Sequence, residues 1–464
     1  MAQNIGEDYV NIPQDYNLVA KPNVAPAVSK RLVVLPQNGA VFNPGETITY
    51  EIPTGRQAEY LSGEQTYLAL KIKNTSASAS TSWVVDSTGF AFIKKLEILS
   101  NGAQIEIIDN YGHLLNTLYT AQSSHMDHCT VNTICLGSDP NWDDVDISAT
   151  AAGQTVAKDG SITVMLPILS GILGAQCHKM LPLNLLHSLT LNLTLAPAVE
   201  PVVTVGTGGT AVAAGAPNWE VSSTSLVLQV VQLDSEVDKM LQAQRGDAPV
   251  EISCETWRSY NSTIANQSTS ANVLIPAKFS SIKNILTTFR RNTDLVSANF
   301  SSTSGRVNPF ASAGASVPSV QYQVNNTLIP ANPLDNVPAI FVESMKAFHN
   351  WGNIHAKCKA NNLTYDSSLN TYGTATALDG TNNTVANVST YYGKLSTFFM
   401  AYGFDNFYGE SQKSHNGISS MNGNLFLNMT FSSALAQQTR MDSFVNIDQV
   451  LVIDPVSKAI SIRT

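Results

Sequence analysis

HSLTLNLTLAPA at residues 187–198 returns as GNLFLNMTFSSA at residues 423–434. Leu189, Leu191, Asn192 and Thr194 match Leu425, Leu427, Asn428 and Thr430, an offset of 236 residues (189 to 425) in a chain of 464. Both copies alternate apolar and polar positions, the period-two pattern of a strand with one buried face. A strand recurring at half the chain length predicts two similar β-domains in tandem. Such an organisation points towards a building block more than a catalyst.

Around these two stretches the chain keeps reading as short strands. In the first half they are predicted at Arg31–Leu35, Thr47–Ile52, Tyr67–Lys73, Ala91–Leu99, Gln104–Ile108, Ser161–Ile168, Ser188–Ala196 and Trp219–Leu233. Asn101-Gly102 marks a tight hairpin, because both central positions of a type I′ turn need positive φ. Apolar residues at helical spacing predict a short helix over Asp109–Thr120 and another over Asp234–Gln244. The second half repeats the programme. Strands are predicted at Val250–Tyr260, Ala271–Pro276, Lys283–Phe289, Val320–Val324, Lys394–Phe404, Asn424–Phe431, Val445–Ile453 and Ala459–Ile462, with a helix at Ala339–Asn350 matching the one at 109–120. Eight strands and a helix per half, with long connections between some of them, predict an all-β protein of two tandem jelly-roll β-sandwiches. Long polar loops are predicted at 137–160, 198–217, 293–318 and 353–392, the kind that decorate a surface.

Prolines 13, 22 and 26 break the polar start, so residues 1–30 read as an extended arm without its own core. Gly246, followed by Pro249, punctuates the end of the first strand set and divides the chain into a first jelly roll at 31–245 and a second at 246–464.

Charged residues make up only 13% of the chain, against roughly 25% in ordinary soluble domains. Ser, Thr, Asn, Gln, Ala and Gly take their place, giving a surface that sheds water cheaply on meeting a partner. The formal net charge of −9, with no basic cluster, argues against direct contact with nucleic acid. Five scattered cysteines do not form a disulfide framework, and reduced thiols are the simpler reading. The first residues carry no signal-peptide pattern, and no apolar run approaches the roughly 18 residues of a membrane span.

No residue is assigned a catalytic, cofactor-binding or metal role. His125, His128 and Cys129 in HMDHC lie close together, but a closed zinc site takes four ligands and only Cys135 is near. His355 and Cys358 form a lone pair. There is no G-x-S-x-G elbow. Gly206–Thr210 lacks the lysine of a phosphate loop. Asp143 with Asp144, and Asp234 with Glu236, fall at loops and strand ends, away from the sheet face that a β-sandwich glycosidase would use. Arg245-Gly246-Asp247 reads as a turn flanked by charges as readily as an adhesive tripeptide. Asn74, Asn261 and Asn362 head glycosylation sequons of the sort that Asn/Ser/Thr-rich chains produce by chance.

Several blocks, in order, resemble double jelly-roll major capsid proteins of tailless icosahedral double-stranded DNA viruses, the adenovirus, virophage and polinton-like lineage. In the first half these are FAFIKKLEILSNGAQIEIIDNYGHLLNTL (90–118), LPILSGILGAQCHKMLPLNLLHSLTLNLTLA (166–196) and SLVLQVVQLDSEVDKML (225–241). In the second they are FSSIKNILTTFRR (279–291), Val320–Val324 leading to Leu328-Ile329-Pro330, VESMKAFHNW (342–351), MAYGFDNF (400–407) and FVNIDQVLVIDPVSKAISIR (444–463). The resemblance implies a structural protein and no enzyme. It implies homotrimers that are pseudo-hexameric capsomers and tile an icosahedral virion shell, assembled in the host cytoplasm or nucleus. The implied partners are the protein itself, neighbouring capsomers, penton and minor capsid proteins, and an internal membrane reached by the arm. It implies no cofactor. The loops at 198–217, 293–318 and 353–392 would then face outward. The rival reading of the same composition is an extracellular carbohydrate-binding or fibre-type β-sandwich.

Overall fold

The computed structural model describes residues 27–77, 82–85, 88–124, 128–137, 156–174, 179–205, 217–291, 317–349, 398–405, 417–435 and 437–463, together with Cys358 and Tyr365. Sixteen strands carry the architecture. In the first half they are β1 (Ala27–Val34), β2 (Thr47–Ile52), β3 (Glu59–Asn74), β4 (Ile93–Ser100), β5 (Ala103–Asp109), β6 (Ser161–Pro167), β7 (Leu189–Leu195) and β8 (Trp219–Leu233). In the second they are β9 (Val250–Ile264), β10 (Ser270–Ile275), β11 (Ile282–Arg291), β12 (Ser319–Val324), β13 (Thr327–Leu334), β14 (Met400–Gly403), β15 (Leu425–Thr430) and β16 (Thr439–Ile453).

The first eight strands form two antiparallel sheets, in the orders β1-β8-β3-β6 and β2-β7-β4-β5. The second eight form β9-β16-β11-β14 and β10-β15-β12-β13. Adding eight to each label of the first pair yields the second pair. Both halves are therefore jelly rolls of identical connectivity, and the two strands that carry the sequence repeat, β7 and β15, hold the same place in equivalent sheets. Leu189, Leu191, Leu193 and Leu195 of β7 are buried, as are Leu425, Leu427 and Met429 of β15, while the alternates between them, polar except for Phe426, are more exposed. Sheets packed this way interdigitate their inward side chains across about 10 Å.

The hairpin at Asn101-Gly102 joins β4 to β5 with φ of 49° and 77°, as the turn chemistry requires. Each half also carries a helix after its fifth strand: α1 (Tyr111–Gln122) follows β5 and α3 (Val337–Ala347) follows β13. Between the halves runs α2 (Ser235–Arg245), capped by Asp234, whose carboxylate accepts from Glu236 N at 3.0 Å. This helix is mostly exposed and is tied down where Tyr60 donates to buried Asp238 at 2.8 Å. Burial and the neighbouring carboxylate push the Tyr60 hydroxyl up to about 12.

The structure corrects several expectations. Residues 27–30, assigned to the arm, belong to β1, where Ala27 pairs with Leu233; residues 1–26 lie outside the described residues. Part of the predicted loop at 198–217 is a strand, Val202–Val205, paired with Ser82–Val85 in a two-stranded ribbon. Its residues, Val-Val-Thr-Val, are all β-branched and suit a strand, and the Gly/Ala/Thr stretch after it lies outside the described residues. A strand that the sequence pattern does not predict, β13, runs through Pro330 and Pro333. It sits at the edge of its sheet, where a missing N–H costs no ladder bond. The stretch after α1 is helical over His128–Leu136. The predicted loops at 293–318 and 353–392 fall almost wholly outside the described residues. Among the described residues no helix is long and apolar enough to cross a membrane.

Candidate functional site: the seam between the sandwiches

Strands β11 and β16 depart from the alternation seen elsewhere. Residues 282–290 are buried without interruption, and β16 is nearly so, which means that both faces of these two central strands are covered. One face lines the second sandwich's core. The other lies against the first sandwich, and polar residues populate that junction.

At one end, Glu106 of β5 is fully buried yet satisfied: it accepts from Ser170 Oγ, from Gly171 N at 2.9 Å and from Thr256 Oγ1 of β9. Gly171 permits this approach, since a Cβ there would stand 2.7 Å from the Glu255 carbonyl oxygen. Nearby, Arg258 of β9 donates to the Ile107 carbonyl at 2.9 Å, and Asn110 to Ser259 at 3.3 Å. Helix α1 reaches the seam because Gly112 lets it settle on the turn before β4; a Cβ at that position would lie 2.2 Å from the Phe90 carbonyl oxygen.

From α1, His113 places Nε2 2.6 Å from Thr288 Oγ1 of β11 and its ring 6.0 Å from that of Phe444 of β16. Beside it lies an ion network linking both halves. Arg290 donates through Nε and Nη2 to Asp442 Oδ2 at 2.9 and 2.7 Å, and through Nη1 to Glu200 Oε1 at 2.8 Å. Lys94 of β4 clasps both oxygens of Glu200 at 2.9 and 2.8 Å, and Arg440 donates to Asp442 Oδ1 at 2.8 Å. Burial alone would raise both carboxyls. The cations outweigh it: Arg290 and Lys94 bring Glu200 down to about 2, and Arg290 with the neighbouring basic groups brings Asp442 down to about 2. Burial, then the adjacent Arg290 charge, pushes His113 down to about 3, so its ring is neutral across the physiological range. Removing one partner from such a buried network strands the other's charge at a cost of about 3–5 kcal/mol, so the arrangement holds the sandwiches in one relative placement.

The residues weighed for chemistry are not brought together. His125, Asp143, Asp144, His355, Asn362 and Gly206–Thr210 lie outside the described residues. His128 and Cys129 begin a helical turn, Cys135 is part-buried against the first core, and Cys358 donates to the Thr120 carbonyl at 3.5 Å. Among the described residues no group of three or more His, Cys, Asp or Glu is placed to hold a metal. Asp234 caps α2 and Arg245-Gly246 ends it, with Gly246 at φ 62°. Asn74 is fully buried, donating to the Val156 carbonyl at 2.9 Å, which closes its sequon to glycan. The seam residues escape a reading of the sequence alone. Their only signal is charge inside strands that should alternate, as in FRR at 289–291.

Comparison with solved structures decides the fold. The chain superposes on PBCV-1 VP54, as fitted into a cryo-EM reconstruction of the virophage Sputnik, with a TM-score of 0.61 at 12% identity, covering 97% of this chain and 99% of that one. The Faustovirus major capsid protein matches with a TM-score of 0.59 at 10% identity over 94% and 92% of the two chains. This is a double jelly roll. A chain from the 3.5 Å cryo-EM structure of the Sputnik virophage shares the double jelly roll too, with a TM-score of 0.55 at 9% identity over 97% and 91%. Neither a protein-family model nor a curated protein matches the sequence. In this double jelly roll, the seam is where one sandwich is docked on the other.

Proposed function

We propose that the protein is a structural major capsid protein whose homotrimers are pseudo-hexameric capsomers of an icosahedral virion shell. The observation carrying this reading is the identical strand order of the two halves, held in one placement by the seam. Two equivalent sandwiches per chain make three chains present six near-equal sides, and six-sided blocks tile flat facets. Fold likeness to capsid proteins over nearly the whole chain supports the same reading. The low charge favours extensive burial between copies.

On this reading the units divide near Gly246, and the arm, shortened to residues 1–26, contacts neighbouring capsomers, minor capsid or penton proteins, or an internal membrane. The acidic balance keeps the genome from direct contact. The protein works in the virion and is assembled within the host cell.

Analytical ultracentrifugation with electron microscopy of the purified chain tests the reading. Trimers with a pseudo-sixfold outline support it, each pair of copies burying upwards of about 2,000 Å². A monomer that persists at high concentration, or selective binding on a glycan array, would overturn it in favour of a carbohydrate-binding β-sandwich.

A further inference from the structure

Apart from the Arg290 network, one cluster in the second sandwich gathers an amine, a carboxamide and a carboxylate on three adjacent strands. Glu255 of β9, Asn446 of β16 and Lys283 of β11 are neighbours because β16 runs between the other two strands. In the β9–β16 pair Glu255 opposes Asp448 and Trp257 opposes Asn446, so Glu255 and Asn446 are diagonal neighbours on one face. Lys283 is the extra residue of a bulge, between the Ile282–Ile447 and Asn284–Asn446 pairs. A bulge re-aims the side chain it inserts, and this one delivers the lysine amine to β16 and β9.

Glu255 holds both of the other groups, one with each oxygen. Lys283 donates from Nζ to Oε1 at 2.5 Å, and Asn446 donates from Nδ2 to Oε2 at 3.3 Å. Lys283 and Asn446 are both buried. Asn446 Oδ1 is buried with no hydrogen-bond partner among the described residues, unlike an asparagine held for structure alone. Burial by itself would lower the Lys283 amine. The carboxylates of Glu255, of Asp448 with Oδ1 3.8 Å away, and of Asp405 outweigh it and raise the amine, so the resting group is an ammonium.

We propose that Lys283 and Asn446 join in an intramolecular isopeptide bond, with Glu255 as the acid–base group of the reaction. The ammonium passes a proton to Glu255, and the freed amine attacks Asn446 Cγ. The Nζ–Cγ bond forms and the Cγ–Nδ2 bond breaks. Glu255 relays two of the three ammonium protons in turn to Nδ2, which leaves as ammonium. The third proton stays on the new amide, and Glu255 ends as the carboxylate it began. No outside reactant enters. Adjacent strands supply the proximity that two free reactants would lack. An acid–base group must lie within hydrogen-bond reach of the protons it moves, and Glu255 touches both the amine and the leaving nitrogen. Burial keeps water from competing for Cγ. A carboxylate resists a nucleophile, so the acceptor is Asn446 and not Asp448. The bond staples β11 to β16 and closes a loop, from 283 to 446, that holds much of the second jelly roll, which restricts the unfolded chain.

The test is intact-mass spectrometry of the denatured, reduced full chain, followed by peptide mapping. Wild type is expected to be lighter than its sequence by one ammonia and to yield a branched peptide joining the segments around Lys283 and Asn446. Lys283→Arg, Asn446→Ala and Glu255→Gln are expected at full sequence mass, with circular dichroism checking that each is folded; the wild-type branch decides the matter even where a variant does not fold. A wild type at full mass overturns the proposal. So does an ammonia loss that survives Lys283→Arg, as an asparagine closing on its own backbone would give. A water loss with a branch between Lys283 and Asp448 overturns the acceptor and the route through Asn446.

Discussion

Acid should loosen this protein through His113 before it reaches the carboxylates. In the unfolded chain the imidazole titrates near its ordinary 6.5, whereas in the seam it is held down at about 3. Burial is the main cause, and the charges of Arg290 on β11 and Lys94 on β4 press it further down against the opposing pull of Asp442 on β16 and Glu200 after β7. A further positive charge there is unwelcome. Because the folded value lies below the unfolded one, the unfolded state binds the extra proton as pH falls below 6.5, and folding stability falls with it. At pH 5 the loss is 1.5 pH units times about 1.36 kcal/mol, at most about 2 kcal/mol. Glu200 and Asp442 add nothing at that pH, since their stabilisation is present above the unfolded values of 4.5 and 3.8 and is lost only as pH falls from there towards 2. The assay is urea unfolding at pH 7 and pH 5, followed by fluorescence of Trp83, Trp219 and Trp257, all buried. Wild type should lose up to about 2 kcal/mol between the two pH values, whereas His113→Gln, which keeps a donor for Thr288 and cannot charge, should lose markedly less. If His113→Gln shows the wild-type loss, the seam histidine does not govern the acid response, and burial beside Arg290 is not what makes its protonation costly.

Two further perturbations probe the packing. Arg290→Met should destabilise by about 3–5 kcal/mol in a denaturant titration, since it leaves the buried Asp442 charge facing only Arg440, and Arg290→Met with Asp442→Leu should recover most of the loss; additive penalties would show that the pair is not coupled. Leu191→Ala and Leu427→Ala remove matched, fully buried side chains from the two halves, at about 2–5 kcal/mol each. Calorimetry should show comparable downward shifts, and a shift in only one variant would argue that β7 and β15 are not equivalent in energy.

Alternation alone is enough to locate most strands, because a sandwich strand with one wet face writes its period into the sequence. The helix pair, the turn at Asn101-Gly102 and the repeat of β7 in β15 are legible for similarly local reasons. Where the pattern falls short, a long-range partner decides. β3 begins at Glu59, not Tyr67, because a bulge around Gly63 interrupts the period while β8 continues to pair with it. β13 hides behind two prolines that only an edge position tolerates. β11 and β16 carry Arg290, Asp442 and Thr288 in mid-strand, which contradicts a simple buried face until the other sandwich supplies Glu200, Lys94 and His113.

The chain by itself thus determined that there are two jelly rolls and where most of their strands lie, since those follow from residue-by-residue preference for a wet or dry face. How the two are joined was settled only in three dimensions. Burying a charge is favourable only beside a specific partner, and the partners of Arg290 and Glu106 stand 64 or more residues away along the sequence.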